Sequence, residues 1–343
     1  MELKFNLQLF VDTGISGVAP ELVMEGWAKD TWESGLQKSF FEKFMGNNAE
    51  SIIHVKEELK KDAGDTIHIG LLMPLQGAGI YGDNTLEGNE EEMIYRDFSV
   101  KIDQVRNGVR IKGKMEEKRT QINMRKDAKV ALSKWMGTNI DKTFFTKLST
   151  NPTADRIIYG GTATSESSIG TTDTFSAELI RKAKLLAQAD ERTMVKPINV
   201  EGIGDTYVMV VDQWQAHALK KDPDWIEAQK FANVRGDKNP IFSGKLGIYD
   251  GVIVHQCNRV ISTPTGNGGI PVGHALFLGA QAGVFALGGS PTWEEDTFDY
   301  KNKFGVSFGH IFGIEKAQFK YDGINLTDFG VINVLTSTGS STI

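Results

Sequence analysis

Two glycine-rich stretches match the consensus motifs of nucleotide-binding loops, which makes them the first candidates for a binding or catalytic site. Gly77–Gly82 fits G-x-G-x-x-G, the loop that opens a helix beneath the pyrophosphate of a dinucleotide. Asp83–Gly88 follows without a helical stripe, so these glycines are better explained as turns in a long loop. Gly108–Lys114 fits a phosphate loop, but Met115 stands where Ser or Thr would bind Mg²⁺. The side chains inside this second stretch alternate between apolar and charged, which is the pattern of a strand.

Nucleophiles and metal ligands are sparse. No two of the 6 histidines stand at i, i+4 with a glutamate, and the single cysteine, Cys257, excludes an intrachain disulfide and most thiolate metal sites. His255 and Cys257 would share one face of a strand, but a cysteine beside Val252–Val254 is more typical of an inert core. The residues therefore predict no catalytic, cofactor-binding or metal-binding site.

These stretches belong to an extended, strand-rich region. Strand patterns cover Thr66–Leu72 and Phe98–Lys112, and an acidic, glycine-rich loop, Gly77–Glu92, separates them. The loop contains too few apolar residues to form a core of its own, so we expect it to find its partners elsewhere.

The longest helix pattern of the chain follows, over Lys114–Leu148, which contains no proline and predicts one long helix. Its apolar side chains recur at helical spacing: Ala128, Leu132, Met136, Ile140, Phe144 and Leu148. The opposite face carries lysine and arginine. Such a helix would span on the order of 50 Å, which suits a structural spine better than a compact enzyme core.

Composition is that of a globular chain. At 343 residues, with 40% apolar and 24% charged side chains, the chain can bury a core of about two domains. No run of 18 apolar residues offers a membrane span, so we expect no membrane partner. Leu3, Phe5, Leu7 and Leu9 alternate with polar residues, which indicates a strand and not a signal peptide, so the product is expected to stay intracellular.

Charge is divided along the chain. Residues 1–95 carry a net charge of −10 and residues 96–147 carry +8, within a total of −6. One interpretation is an ordinary solvated helix face. The other is that the acidic loop of one copy lies over the basic surface of a neighbour, which predicts salt-sensitive assembly.

The remaining segments indicate two domains. Pro20 opens a weak helix, weakened by Gly26 and Gly35, that leads to the aromatic residues around Phe40. This arm could pack on its own subunit or on a neighbour.

Residues 149–173 predict an irregular connection, and a second domain begins with the following helix pattern. Later predictions are a helix opened by Asp222-Pro223, a hairpin turn at Asp250-Gly251, a mobile loop at Thr263–Gly273, strand or buried segment over Ala275–Leu287, a turn at Trp293–Tyr300, and closing strands at Phe304–Phe312, Ala317–Tyr321 and Phe329–Leu335.

Several runs resemble the N-four-type major capsid protein family of tailed phages. They are Gly64–Glu91, Lys101–Thr120 and Ser39–Gly46, together with NLQLF near the N-terminus, Asn239–Val254, LGAQAG and FGVINVLTSTG. The resemblance covers nearly the whole chain. It implies the α+β fold of the Hong Kong 97-like major capsid proteins, which has an N-terminal arm, an extended β-loop, a peripheral domain with a spine helix, and an inserted axial domain.

Under this resemblance, residues 1–50 would be the arm, 51–113 the extended-loop region, 114–170 and 290–343 the peripheral domain, and 171–289 the axial domain. The chain would assemble into hexamers and pentamers of an icosahedral shell around double-stranded DNA, without enzymatic activity and without a cofactor. Its partners would be itself, a portal, a scaffold and cement proteins, with assembly in the host cytoplasm.

The predicted intersubunit residues are Phe5, Leu9, Phe40, Phe41, Glu87, Glu90, Glu91, Glu92, Arg119, Arg125, Lys126 and Lys129. Two alternatives stay open from the sequence. One is a cellular nanocompartment shell of the same fold that packages protein cargo. The other is a nucleotide-binding enzyme that uses Gly77–Gly82.

Overall fold

The computed structural model of the chain describes residues 20–339 except 59–63, 74, 76, 78, 111, 120–123, 191–192, 201, 232–244 and 322. Contacts divide the chain into two compact units. The first unit consists of Met1–Leu36, Val105–Met136 and Ser290–His310, and the second consists of Gln37–Gln104, Gly137–Gly289 and Ile311–Ile343. This division differs from the four regions predicted from the sequence, which stay a prediction.

The described residues form α-helices and short and long strands. The helices are α1 Pro20–Leu36, α2 Lys114–Arg119, α3 Met124–Ser149, α4 Ala177–Gln188, α5 Gln213–Lys221 and α6 Pro223–Phe231. The strands are β1 Met45–Gly46, β2 Ile53–Lys56, β3 Thr66–Leu72, β4 Tyr95–Lys101, β5 Asp103–Arg110, β6 Ile157–Tyr159, β7 Ile198–Val200, β8 Gly204–Val211, β9 Lys245–Tyr249, β10 Val252–Gln256, β11 Ser262–Thr263, β12 Val272–Leu278, β13 Gly283–Leu287, β14 Thr292–Phe298, β15 Lys303–Lys316, β16 Gln318–Phe319, β17 Thr327–Asp328 and β18 Val331–Ser337. None of the helices in this described part of the chain combines the length and apolarity that a membrane span requires.

In the first unit, α1 packs on the β14–β15 hairpin. The predicted helix from Pro20 is confirmed, and the rings of Trp27 and Trp293 meet in a T-shaped arrangement with centroids 6.0 Å apart. Trp32 stacks on His310 at 4.0 Å. The prediction of a turn at Trp293–Tyr300 was wrong, because Thr292–Phe298 pairs antiparallel with Lys303–Gly309 and only the residues between them form the turn.

The second unit contains an eight-stranded sheet in the order β6-β18-β12-β8-β10-β9, with β7 beside β8 and β11 beside β12. The continuous apolar run Tyr207–Val211 predicts a strand buried on both faces, and these residues of β8 are all buried. Leu179, Ile180 and Ala183 of the amphipathic α4 pack into the same core as Tyr207.

The turn between β9 and β10 confirms the hairpin predicted at Asp250-Gly251. Both residues have positive φ, at 48° and 74°, and Tyr249 pairs with Val252 across the turn. Two positive-φ residues are what a type I′ turn requires, because that turn matches the right-handed twist of the paired strands.

The long helix is confirmed in its second part. Leu132, Met136, Ile140, Phe144 and Leu148 of α3 are all buried, as the periodicity predicts. The structure describes Lys114–Arg119 as α2 and Met124–Ser149 as α3, and residues 120–123 between them lie outside the described residues, so one continuous helix stays a prediction there.

Two segments contain more regular structure than their composition indicates. The connection 149–173 was predicted to be irregular, but its Ile157–Tyr159 pairs parallel with β18 as β6. The glycine-interrupted segment Ala275–Leu287, predicted as strand or buried segment, contains the buried residues Ala275–Leu278 of β12 and the fully buried strand β13. Partner strands distant in sequence determine both elements, and local propensity is a weak guide in such cases.

Candidate assembly surfaces

The loop between β3 and β4 exposes many apolar side chains. Every described residue from 75 to 95 is exposed. The large apolar side chains of this stretch leave 36% to 77% of their surface in solvent: Leu75, Ile80, Tyr81, Leu86, Met93 and Ile94 of the loop, and Tyr95 at the start of β4. A monomeric soluble protein seldom exposes so many neighbouring apolar side chains unless they bind a partner.

The β3–β4 loop begins and ends at paired backbone. Leu72 pairs with Tyr95 in the hairpin, and the N–H of Met73 donates to the carbonyl of Ile94 at 2.9 Å. Gly79, Gly82 and Gly88 have φ values of 72°, 67° and 86°, so these glycines form turns, as predicted. No helix occurs between Gly79 and Ile94, all of which the structure describes, so the loop offers no helix N-terminus to a pyrophosphate.

The four predicted acidic residues Glu87, Glu90, Glu91 and Glu92 all lie in this loop and are exposed. Glu90 accepts a hydrogen bond from the backbone N–H of Gly88 at 2.7 Å, which keeps that turn compact. Four carboxylates within six residues repel each other in an isolated subunit, and a cationic surface would relieve that repulsion.

The predicted basic residues lie on α2 and α3. Arg119 and Lys126 are exposed, whereas the half-buried Lys129 pairs with Asp30 of α1, with Nζ and Oδ2 3.0 Å apart. The side chain of Arg125 is not among those described. Contact of these side chains with the acidic loop of a neighbour stays a prediction.

The predicted aromatic residues of the arm pack within the subunit. Phe41 is fully buried, and its ring lies 4.8 Å from Phe144 and 4.9 Å from Phe145, both on α3. Phe40 stacks on Phe145 at 6.1 Å. These contacts match the intrachain alternative that the sequence left open. Phe5 and Leu9 lie outside the described residues.

Asp141 of α3 organises this segment, and sequence analysis did not identify it. Its fully buried carboxylate accepts hydrogen bonds from the Ser39 hydroxyl at 2.5 Å and from the backbone N–H of Phe40, and it forms an ion pair with Arg259. The available signal was a carboxylate beside the apolar stripe of the helix. A buried carboxylate needs such partners to offset its desolvation.

A second buried ion pair follows the end of α3. The Lys316 ammonium lies 2.9 Å from Asp328 and donates to the carbonyls of Thr150 and Asn151 at 3.1 and 3.2 Å. Burial lowers the pKa of Lys316, although Asp328 acts in the opposite direction. The pair connects the residues after the helix to β15 and β17.

His255 and Cys257 have the properties of core residues. Burial raises the pKa of the Cys257 thiol, which disfavours the thiolate that a nucleophile requires. The Lys43 ammonium lies 3.3 Å from Nδ1 of His255 and over the Phe40 ring, and burial lowers the pKa of Lys43. Among the side chains that the structure describes, no group of three or more His, Cys, Asp or Glu could hold a metal ion.

Comparison with known proteins identifies the family to which this chain belongs. The family model described as "Phage capsid protein" matches residues 17–339. The major capsid protein of Pseudomonas phage KPP25 is 30% identical, over 90% of this chain and 93% of that protein.

Solved structures of phage capsids have a fold similar to that of this chain. The capsid of Ralstonia phage GP4 is similar with a TM-score of 0.78 and 33% identity, covering 89% of this chain and 92% of that chain. The Cyanophage Pam1 capsid is similar with a TM-score of 0.73 and 22% identity, covering 89% and 94%. These relatives are phage capsids, so the nanocompartment alternative has no support from them. The chain belongs to the phage capsid protein family and is a tailed-phage major capsid protein of the Hong Kong 97-like fold.

Proposed function

We propose that the chain assembles into hexamers and pentamers of an icosahedral shell that encloses double-stranded DNA, and that it acts by interlocking and not by catalysis. In this proposal residues 1–50 form the arm, 51–113 the extended-loop region, 114–170 and 290–343 the peripheral domain, and 171–289 the axial domain. Assembly takes place in the host cytoplasm, with a portal, a scaffold and cement proteins as partners.

One observation carries the proposal, namely the exposed apolar side chains of the β3–β4 loop. Tyr81 and Leu75 leave 77% and 67% of their surface in solvent, which costs free energy unless another surface covers them. In a closed shell every subunit offers the same surface to a neighbour, so one modest contact is repeated by symmetry. The loop therefore supplies the apolar part of the interface and the glutamates supply its charge.

A loop-shortened variant tests this role. Residues 79–92 are replaced by Asn-Gly, which leaves an eight-residue connection between the paired residues Met73 and Ile94. We expect the subunit to keep its circular dichroism and melting temperature, because the removed residues are all exposed. We expect it to form no shells.

A matched control removes the apolar side chains and keeps the length of the loop. Tyr81→Ser with Leu86→Ser should also prevent shell formation, whereas Leu185→Ser, at an equally exposed position on α4, should not. Shells of normal size from the loop-shortened variant would contradict the proposal.

A further inference from the structure

The turn between β14 and β15 holds an aromatic side chain in a strained, outward position. Asp299, Tyr300 and Lys301 all have left-handed backbone, with φ values of 55°, 49° and 65°. None of the three is glycine, the residue that adopts this conformation without strain. Tyr300 is fully exposed, at 103% of its reference surface. Such strain persists where the surrounding structure imposes it, and it is frequent at functional positions.

Asn302 fixes this turn. Its backbone N–H donates to the Asp299 carbonyl at 2.9 Å, and its side-chain amide nitrogen lies 3.4 Å from the Asp299 carboxylate. Lys303 pairs with the same carboxylate at 3.3 Å, and the backbone N–H of Lys114 donates to the Asn302 amide oxygen. Asn302 and Lys303 lower the pKa of Asp299, the hydrogen bond from Asn302 contributing most. The turn is therefore held in one conformation with Tyr300 outside it.

A groove lies on the same hairpin, on the face formed by β14, β15 and β5. It has a volume of about 340 Å³, and its apolar walls are Val109, Val306 and Phe298. Gly305 also lines it, and a Cβ there would stand 3.0 Å from the Phe298 ring. Glu294 and Asp296, both exposed, line its edge.

The charges of the turn and of the groove are complementary. Asp299 and Lys303 neutralise each other, which leaves Lys301, an exposed residue, as the excess cation beside Tyr300. In the groove, Glu294 and Asp296 outnumber Arg110, whose guanidinium lies over the Phe298 ring at 5.6 Å. An aromatic ring followed by a cation thus matches an apolar slot with an acidic edge.

We propose that Tyr300 of one copy inserts into this groove of a second copy, with Lys301 against Glu294 and Asp296. The occupant is a second copy because none of the described residues of its own subunit covers Tyr300, and shells bring many copies together. The contact is heterologous, since the turn and the groove are different surfaces, and such contacts form a ring when the rotation between copies closes. The inference rests on the proposed assembly into shells.

Photo-crosslinking tests the contact in assembled particles of the full chain. The photoreactive p-benzoylphenylalanine replaces Tyr300 and keeps an aromatic ring at the tip of the turn. After irradiation we expect products with the mass of two or more chains on a denaturing gel, with mass spectrometry placing the link in peptides that contain Val109, Phe298 or Val306. The same photoreactive residue at Leu185 provides a control for non-specific crosslinks.

Charge reversal provides the second measurement. Lys301→Glu should lower the yield of this crosslink by about twofold to fivefold, the range of an exposed ion pair, and Glu294→Lys in the same chain should restore it. Three results in assembled particles would overturn the inference. They are crosslinks that map to other peptides, crosslinks only within one chain, and a crosslink yield that neither charge substitution changes. A wild-type chain that forms no particles would instead contradict the proposed function.

Tyr300→Gly separates the contact from folding. Glycine relieves the left-handed backbone at this position, so the melting temperature of the isolated subunit should stay equal or rise. Particle yield should nevertheless fall. A variant that assembles as well as the wild type would show that the exposed tyrosine has no role between copies.

Discussion

The carboxylate of Asp141 accepts the backbone N–H of Phe40 with both of its oxygens, at 2.9 and 3.0 Å. The two residues are 101 positions apart, and this contact fixes the aromatic segment after α1 to α3. Phe40 and Phe41 then pack against Phe145 of the same helix. One buried carboxylate thus determines where the end of the arm lies on its own subunit.

Removing that carboxylate should destabilise the subunit strongly. Asp141→Ala leaves the Phe40 N–H and the Arg259 guanidinium without their partner, and we expect a loss of about 2–4 kcal/mol in the free energy of unfolding. Asp127→Ala, at an exposed position of the same helix, should cost about 0.5 kcal/mol or less. Urea denaturation of both variants measures the difference, and equal losses would contradict the anchoring role of Asp141.

Two glycines in α1 should respond to alanine in opposite ways. A Cβ at Gly26 would meet nothing within 4 Å, so Gly26→Ala should stabilise the subunit by about 0.5–1 kcal/mol. At Gly35 a Cβ would stand 3.2 Å from the Ser133 carbonyl oxygen and 3.5 Å from Met136, so Gly35→Ala should destabilise it by about 1 kcal/mol or more. Melting temperatures that rise for both variants would show that α1 does not need this close approach.

Stability should fall at alkaline pH because of Tyr321. Burial raises the pKa of Tyr321 to about 12, above its ordinary value of about 10. A folded pKa above the unfolded one means that this stabilisation is complete below about pH 10 and is lost as pH rises to about 12. The expected loss is about 1.4 kcal/mol per pH unit in that window.

Tyr321→Phe has no phenolic proton to lose and provides the control. The difference in unfolding free energy between the wild type and this variant should therefore change between pH 9.5 and pH 11.5. A constant difference across that range would mean that the hydroxyl ionises as easily in the folded subunit as in the unfolded chain.

Assembly should depend on salt through the acidic side chains of the β3–β4 loop. Replacing Glu87, Glu90, Glu91 and Glu92 by glutamine keeps the shape of the loop and removes four charges. Because salt screens exposed charges beyond about 10 Å at 0.1 M, wild-type shells should form less readily as salt rises, and the variant should lose most of this dependence. Light scattering during a salt titration measures it. Identical salt curves for the two proteins would contradict a role for these charges.

Elements that depend on local pattern were predictable from the sequence. The apolar stripe from Leu132 to Leu148, the Asp250-Gly251 turn and the strand Thr66–Leu72 all follow from spacing or from turn chemistry, and the structure confirms them. The β3–β4 loop was also predictable, since its composition cannot form a core.

Elements that depend on distant partners were not predictable. The segment of β14 was predicted to be a turn because it contains Glu294, Glu295 and Asp296. The pairing with β15 and the contact of Trp293 with Trp27 make it a strand. The anchor at Asp141 was missed for the same reason, because nothing near it in sequence shows that Phe40 and Arg259 lie beside it.

The most direct test of the assembled shell is the mass and shape of the purified full-length chain. Size-exclusion chromatography with light scattering, followed by negative-stain electron microscopy, would be performed at low and moderate salt and over a range of protein concentrations. The account predicts capsomers or closed shells at low salt that the loop-shortened variant does not form. A wild-type chain that stays monomeric at every concentration, and behaves like the loop-shortened variant, would contradict it.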